Sequence, residues 1–246
     1  MSSASLLSVQ LKHRAGVLSL DIAFDLTQPW TVLFGPSGSG KTTILRTIAG
    51  FVQPGAGRIA CGAQVMVDRA TSLFIQPHQR PVRTANQNAR LFPHMTVQQN
   101  LLFGAGWPSK PQDRLQIAKD IMSLFRIAGL SDRIPRQLSG GEQQRVSVAR
   151  ALVSATTFDG PGKAILLLDE PFSGLEASLR DELLVKLKAW IIHWKIPVLS
   201  VTHDVAEAFQ LGAEVIKIAG GQVAQQGPAE VVLAEDRLRL LAQLNQ

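Results

Sequence analysis

The run Gly35-Pro36-Ser37-Gly38-Ser39-Gly40-Lys41-Thr42 holds the residue types that cradle a chain of phosphates. Glycines let the backbone turn tightly and aim successive N–H groups at an anion. A helix that starts at the loop adds its partial positive charge. Lys41 can reach the β- and γ-phosphates, the Thr42 hydroxyl can bind Mg²⁺, and Thr43 follows in the same first turn. The context is right: the apolar strand Trp30-Thr31-Val32-Leu33-Phe34 precedes the loop, and Ile44, Leu45 and Ile48 mark a helix face closed by Gly50. Alone, this loop implies a nucleoside triphosphate site and no more.

A second cluster of chemistry ends another apolar run. Leu166-Leu167-Leu168-Asp169-Glu170-Pro171 reads as a buried strand with two carboxylates at its tip. Open α/β sheets bind ligands beyond the carboxyl ends of their strands, so both groups are expected near the phosphates. Asp169 suits the Mg²⁺ shell. Glu170 suits the positioning of an attacking water, because phosphoryl transfer depends chiefly on positioning and charge stabilisation.

Leu138-Ser139-Gly140-Gly141-Glu142-Gln143-Gln144-Arg145 begins as a capping box, with Ser139 as N-cap and Glu142 three residues on. Capping does not account for two consecutive glycines in the first turn, where each costs helix stability. They allow something large and anionic to approach the helix tip.

The elements that must position these residues alternate. Val9 and Leu11 mark one strand, and Leu18, Leu20, Ile22 and Phe24 a second with a period of two, the turn falling at Ala15-Gly16. A small hairpin is expected from Arg58 to Val67. Helical spacing runs from about Val97 to Leu130, broken at Pro108 and Pro111, and another helix follows Ser139. The strand Ile165–Leu168, a helix Leu179–His193, the strand Val198–Val201 and a helix Val205–Leu211 restore the β-α-β rhythm. Gly220-Gly221 makes a hairpin turn, and one amphipathic helix carries Val231 to Leu241. The expected fold is α/β: a RecA-like P-loop NTPase core with an N-terminal antiparallel β-subdomain and an inserted helical subdomain. The chain is read as one domain, 1–246, with the core at about 1–87 and 155–246 and the helical subdomain at about 88–154.

Composition limits the alternatives. The 246 residues are 46% hydrophobic and 18% charged, as in a globular chain. Apolar runs fall far below the roughly 20 residues of a membrane span, and Met1 to Leu7 lack the pattern of a secretory signal. The single cysteine, Cys61, fits a reducing compartment. The net charge of +6 is scattered rather than gathered in a basic tract, so nucleic acid is not an expected partner.

With these residues in hand, the sequence resembles the ATP-binding-cassette (ABC) ATPases over essentially its whole length. Their signature begins LSGGQ, with Glu142 here in the Gln position, as the importer branch tolerates. The resemblance implies that Ser139, Gly140 and Gly141, with Glu142 beside them, complete the ATP site of a second, head-to-tail subunit. That subunit would most simply be an identical chain. It implies that Gln87 is the Q-loop glutamine, touching Mg²⁺ or water, and that His203 is the switch histidine that senses the γ-phosphate. The catalytic set is then Glu170, His203, Gln87 and Lys41, and the metal set Thr42, Gln87 and Asp169. Implied partners are permease subunits and, indirectly, a solute-binding protein, with the chain peripheral on the cytoplasmic face of the cell membrane. A soluble ABC ATPase acting on ribosomes or DNA is the alternative; such proteins fuse two cassettes or insert a long coiled coil, and neither is seen here.

Three departures stand out. Glu176, in Ser173-Gly174-Leu175-Glu176, replaces the family's aspartate. Ala15 stands where an adenine-stacking aromatic is usual, so base stacking is either weak or supplied by another side chain such as His13. Asp159-Gly160-Pro161-Gly162 belongs to an extra surface loop. Gln87-Asn88-Ala89-Arg90-Leu91-Phe92-Pro93-His94 is most similar to the molybdate-importer ATPases. Those relatives carry a C-terminal regulatory domain, for which the sequence up to Gln246 leaves no room, so no such regulation is expected.

Overall fold

The structure is a computed structural model that describes residues 5–105, 111–160 and 162–244. Pro108 and Pro161 lie outside the described residues, as does the side chain of Ala15. The chain gathers into two compact units, one of residues 1–80 with 199–246 and the other of 81–198.

In the first unit, β1 (Leu7–Ala15) and β2 (Leu18–Leu26) pair antiparallel from Leu7↔Leu26 to Ala15↔Leu18. The turn is Gly16-Val17, one residue later than the sequence reading had it, because Gly16 supplies the positive φ of 60°. Leu20, Ile22, Phe24 and Leu26 are buried and the residues between them exposed, the alternation of a strand with one wet face. β4 (Ala56–Cys61) and β5 (Gln64–Asp68) form the expected hairpin, and a short β6 (Leu73–Phe74), not anticipated, adds to its edge.

β3 (Trp30–Phe34) is buried at all five positions. It pairs parallel with β10 (Glu214–Ala219), which turns at Gly220-Gly221 into β11 (Gln222–Pro228). Both turn glycines have positive φ, as a two-residue hairpin of this hand requires. The strand order is β6-β5-β4-β1-β2-β11-β10-β3-β9, where β9 is Val198–Thr202. Helices α1 (Lys41–Ala49) and α6 (Val205–Leu211) follow β3 and β9. The single C-terminal helix read from the sequence is two, α7 (Ala229–Val232) and α8 (Ala234–Leu244), separated at buried Leu233.

The second unit contains β7 (Val82–Ala85) paired parallel with β8 (Ile165–Asp169) and the helices α2 (Val97–Phe103), α3 (Pro111–Leu124), α4 (Gly140–Thr156) and α5 (Ala177–Trp194). β7 escaped the sequence reading: Val82-Arg83-Thr84-Ala85 is too short and too polar to show a period. Arg83 fits because its guanidinium lies 5.0 Å from the centre of the Phe158 ring in the extra loop. Burial pushes that guanidinium below its ordinary pKa. α4 is the central helix, with Val146, Val148, Ala149, Leu152 and Val153 fully buried. No helix among the described residues is long and apolar enough to cross a membrane.

Candidate functional site

The phosphate loop is a backbone device. It leaves β3 through positive-φ turns at Gly38 (79°) and Gly40 (98°). A side chain at Gly40 would also collide with Leu18 and Leu20, whereas around Gly38 there is open space. α1 starts on Gly40, with no side-chain cap and no acidic residue in its first turn. A helix start of this kind suits an anion. Lys41 is buried, and its ammonium donates to the carbonyls of Gly35 (2.7 Å) and Pro36 (2.9 Å) and, at 3.5 Å, faces the Ser39 hydroxyl. The charge is thereby folded back over the loop. Pro36, Ser37 and Thr42 are exposed at the rim, and Thr43 is half-buried.

His203 follows β9, the strand beside β3, and is exposed. Its neighbours fix the backbone on both sides. The Thr202 hydroxyl donates to Glu207 (2.9 Å) and accepts from the Asp204 N–H (3.0 Å), while the Asp204 carboxylate caps α6 by accepting from Ala206 (2.8 Å) and Glu207 (3.3 Å). This lock around His203 was not foreseen, although Thr-His-Asp followed by Glu207 is a readable helix start.

In the second unit, Asp169 is buried at the end of β8 and Glu170 takes up a left-handed backbone, φ 47°. A non-glycine residue holds that conformation only when its surroundings enforce it. Here the Glu170 carbonyl accepts from both the hydroxyl (3.1 Å) and the N–H (3.3 Å) of Ser173. Gln87 comes from the loop after β7, and its amide donates to the Glu170 carboxylate at 3.1 Å. Two residues 83 positions apart that the sequence reading put in one catalytic set therefore touch.

The signature stretch opens α4 with the capping box in full. The Ser139 hydroxyl accepts from the Glu142 N–H (3.3 Å). The Glu142 carboxylate accepts from the Ser139 N–H (2.7 Å) and hydroxyl (2.9 Å). Those two bonds, the backbone one first, hold the Glu142 carboxyl below the usual carboxylate range, with Arg145 and Arg133 adding to it. The two glycines differ. A side chain at Gly140 would meet nothing, whereas at Gly141 it would press on Leu175. Gly140 is open to an approaching ligand and Gly141 answers to packing. A cavity of about 470 Å³ is lined by Gln87, Asn88, Gly140, Gly141, Gln144 and Ser173, among others. Gln144 was quoted in the motif but given no role; its buried amide donates to the Asn86 carbonyl at 3.3 Å and ties α4 to the Gln87 loop.

Beyond Gln87, the segment 90–96 is held from beneath. Buried Asn100 bonds both the N–H and the carbonyl of Phe92, and Arg150 donates to the Arg90 carbonyl at 2.7 Å with its guanidinium 5.3 Å from the Phe92 ring. Phe92 in turn meets exposed Phe103 at 4.3 Å. Neither Asn100 nor Arg150 was singled out from sequence. Glu176 is exposed and precedes α5 without capping it.

One unit thus has a glycine-rich loop that opens a helix, and the other has paired carboxylates, an amide and a glycine-opened helix tip. Residues 21–173 match the model of the ABC transporter family, a stretch that includes the phosphate loop, Gln87, Ser139–Arg145 and Glu170. The chain belongs to the ABC transporter family. More particularly, it is 39% identical over 233 residues to the molybdenum import ATP-binding protein ModC of Mesorhizobium japonicum, covering 95% of this chain and 60% of that one. It is 40% identical over 204 residues to the spermidine/putrescine import ATP-binding protein PotA of Nitratidesulfovibrio vulgaris, covering 82% and 52%. The chain spans about 60% of the length of the ModC relatives it matches. The α/β P-loop fold is that of solved ABC cassettes. One is cbiO1 of Clostridium perfringens, part of the cbiONQ transporter complex (TM-score 0.76, 24% identity, 98% of this chain and 95% of that one). Another is a bacterial ABC transporter cassette described as dimeric (TM-score 0.74, 22% identity, 91% and 98%).

Proposed function

We propose that the chain is the ATP-binding and ATP-hydrolysing subunit of an ABC importer, with molybdate or a related oxyanion as the cargo of the assembled transporter. The observation that carries the catalytic part is the Gln87–Glu170 hydrogen bond at 3.1 Å, which holds a carboxylate on a strained backbone beside an amide. Glu170 orients the water that attacks the γ-phosphate. Lys41 and the first-turn N–H groups of α1 hold the phosphates, and His203 senses the γ-phosphate from the first unit. Ser139 and Gly140, with Gly141 and Glu142 behind them, meet the phosphate held by a second cassette, an identical chain in the simplest assembly.

Mg²⁺ fits the donors available. The Thr42 hydroxyl, the Gln87 amide oxygen and the Asp169 carboxylate are hard oxygen ligands. Among the described residues no group of three or more His, Cys, Asp or Glu side chains makes a metal site. A Mg²⁺ ion that comes with the nucleotide would draw its remaining ligands from phosphates and water. When bound it neutralises charge that develops on the phosphates.

The functional body is one ABC ATPase domain in which residues of about 88–154 form the helical subdomain. Partly exposed Leu91, Phe92 and Met95 offer a permease segment an apolar seat on the cytoplasmic face of the membrane. Both importer relatives support the transport reading by name, and ModC supports the cargo. The test is Glu170→Gln. The purified chain should hydrolyse MgATP, and the variant should lose turnover by at least about a hundredfold while accumulating as a nucleotide-bound dimer on gel filtration. Unchanged turnover would remove Glu170 from the mechanism.

A further inference from the structure

The phosphate-loop helix has a problem at each end. Its N-terminus has to stay bare for a ligand, so it forgoes the side-chain cap that steadies most helices. At nine residues it is also too short to hold its shape or direction unaided. Its C-terminus is where it is fastened. Gly50 closes the helix in a left-handed turn (φ 90°), and the N–H groups of Gly50, Phe51 and Val52 take the Arg46 and Thr47 carbonyls. The Ile48 carbonyl is served by Arg80, 32 positions on, whose Nη1 donates to it at 2.8 Å and to the Thr47 carbonyl at 3.0 Å.

Arg80 is 1% exposed, among the largest side chains to be so fully buried. Its Nε donates to the Ile75 carbonyl at 2.8 Å, and its guanidinium lies 4.8 Å from the centre of the Phe74 ring. Gly50 leaves the space: a Cβ there would sit 2.8 Å from Cζ and Nε of Arg80. The negative end of the helix dipole receives the buried cation, as it should. Burial pushes the guanidinium down to about 10, so it stays charged at neutral pH.

We propose that Arg80 is a positioning residue for the phosphate loop: by clamping the C-terminal end of α1 it keeps Lys41 and the first-turn N–H groups aimed at the phosphates. The inference rests on the reading of that loop as the ATP site. The lever is short but stiff. A tilt of about 5° along a helix of about 13 Å moves its tip by about 1 Å, enough to stretch a hydrogen bond of about 2.9 Å from the loop to a phosphate out of range. Lysine keeps the charge but lacks the planar fork that serves the Ile75 carbonyl and the two helix carbonyls together.

The experiment compares wild type, Arg80→Lys and Gly50→Ala, measuring MgATP affinity by calorimetry, kcat, and thermal melting without nucleotide. Gly50→Ala pushes on the guanidinium without removing its charge. The expected result is that folded variants bind MgATP about tenfold more weakly, with kcat within about threefold of wild type. Folded variants that bind MgATP as wild type does, with only a lower melting temperature, would overturn the proposal. Failure of both variants to fold would overturn it too, since Arg80 would then serve the fold alone. A wild-type chain that binds no MgATP would instead refute the nucleotide reading on which this one stands.

Discussion

Two helices in this molecule begin at glycine-rich, phosphate-suited sequences, and their tips are prepared in opposite ways. α1 starts on Gly40 with no side-chain cap and a buried lysine as its first residue. α4 starts on Ser139 and is closed by its own Glu142, whose carboxylate takes the Ser139 N–H and hydroxyl at 2.7 and 2.9 Å. The first tip is electropositive and has no side-chain cap. The second already carries an anion. Sequence patterns of similar look therefore differ in the charge they offer a phosphate: the α1 start is uncapped and beside a lysine, whereas the α4 start faces its own carboxylate. That is the behaviour the proposed function asks of α4, which there meets a phosphate held by a second cassette.

Lys41→Ala breaks the contrast at its stronger end and carries the largest expected effect. Removing a desolvated ammonium from the loop should weaken MgATP binding by about a hundredfold, read by calorimetry, because a charge-assisted bond to phosphate has no substitute there. Binding within a few-fold of wild type would mean that the backbone N–H groups suffice and that Lys41 serves the loop fold through Gly35 and Pro36.

Ser139→Arg acts at the other tip. The substitution places a large side chain beside the opening at Gly140 and removes the cap. MgATP binding to the single chain should stay within about twofold, whereas nucleotide-dependent dimerisation and cooperative hydrolysis should fall at least about tenfold. Sedimentation with MgATP reads the first loss and the ATP dependence of the rate reads the second. Undiminished cooperativity would dissociate the α4 tip from pairing.

How much of this could be read from the residues alone follows from where the information lies. The phosphate loop, the Asp169-Glu170 strand end and the α4 capping box are local, so their chemistry is written in consecutive residues. β7 was missed because four mixed residues show no period, and its pairing with β8, more than 80 residues on, belongs to tertiary structure. Arg80 looked like one of several scattered basic residues, and only the fold brings it to the Thr47 and Ile48 carbonyls. Gln87 and Glu170 could be assigned to one set by resemblance, but their contact, and the left-handed backbone at Glu170, belong to tertiary structure. The two glycines of α4 look equivalent in sequence and differ only because Leu175 lies under one of them.

The smallest effect, and the most discriminating for the contrast between the tips, is that of Glu142→Gln. Glutamine keeps an acceptor for the Ser139 N–H, so the capping box survives in outline and only the charge is lost. The Glu142 carboxyl titrates below its ordinary range because Ser139 donates to its ionised form. A depressed folded-state pKa contributes stability above the unfolded value of about 4.3, and that stability is lost as pH falls through the lower folded value. The carboxylate is largely exposed to solvent screening, so its share should be small, about 0.5 kcal/mol. Urea unfolding from pH 3 to 7 should therefore show wild type losing slightly more stability than the variant toward the acid end. At neutral pH the variant should pair a few-fold more readily with MgATP, since the tip no longer repels the γ-phosphate. If pairing is instead unchanged while the acid-side difference is present, Glu142 is a helix cap with no electrostatic say in the shared site. The opposition between an open and a guarded tip would then reduce to a difference in local stability.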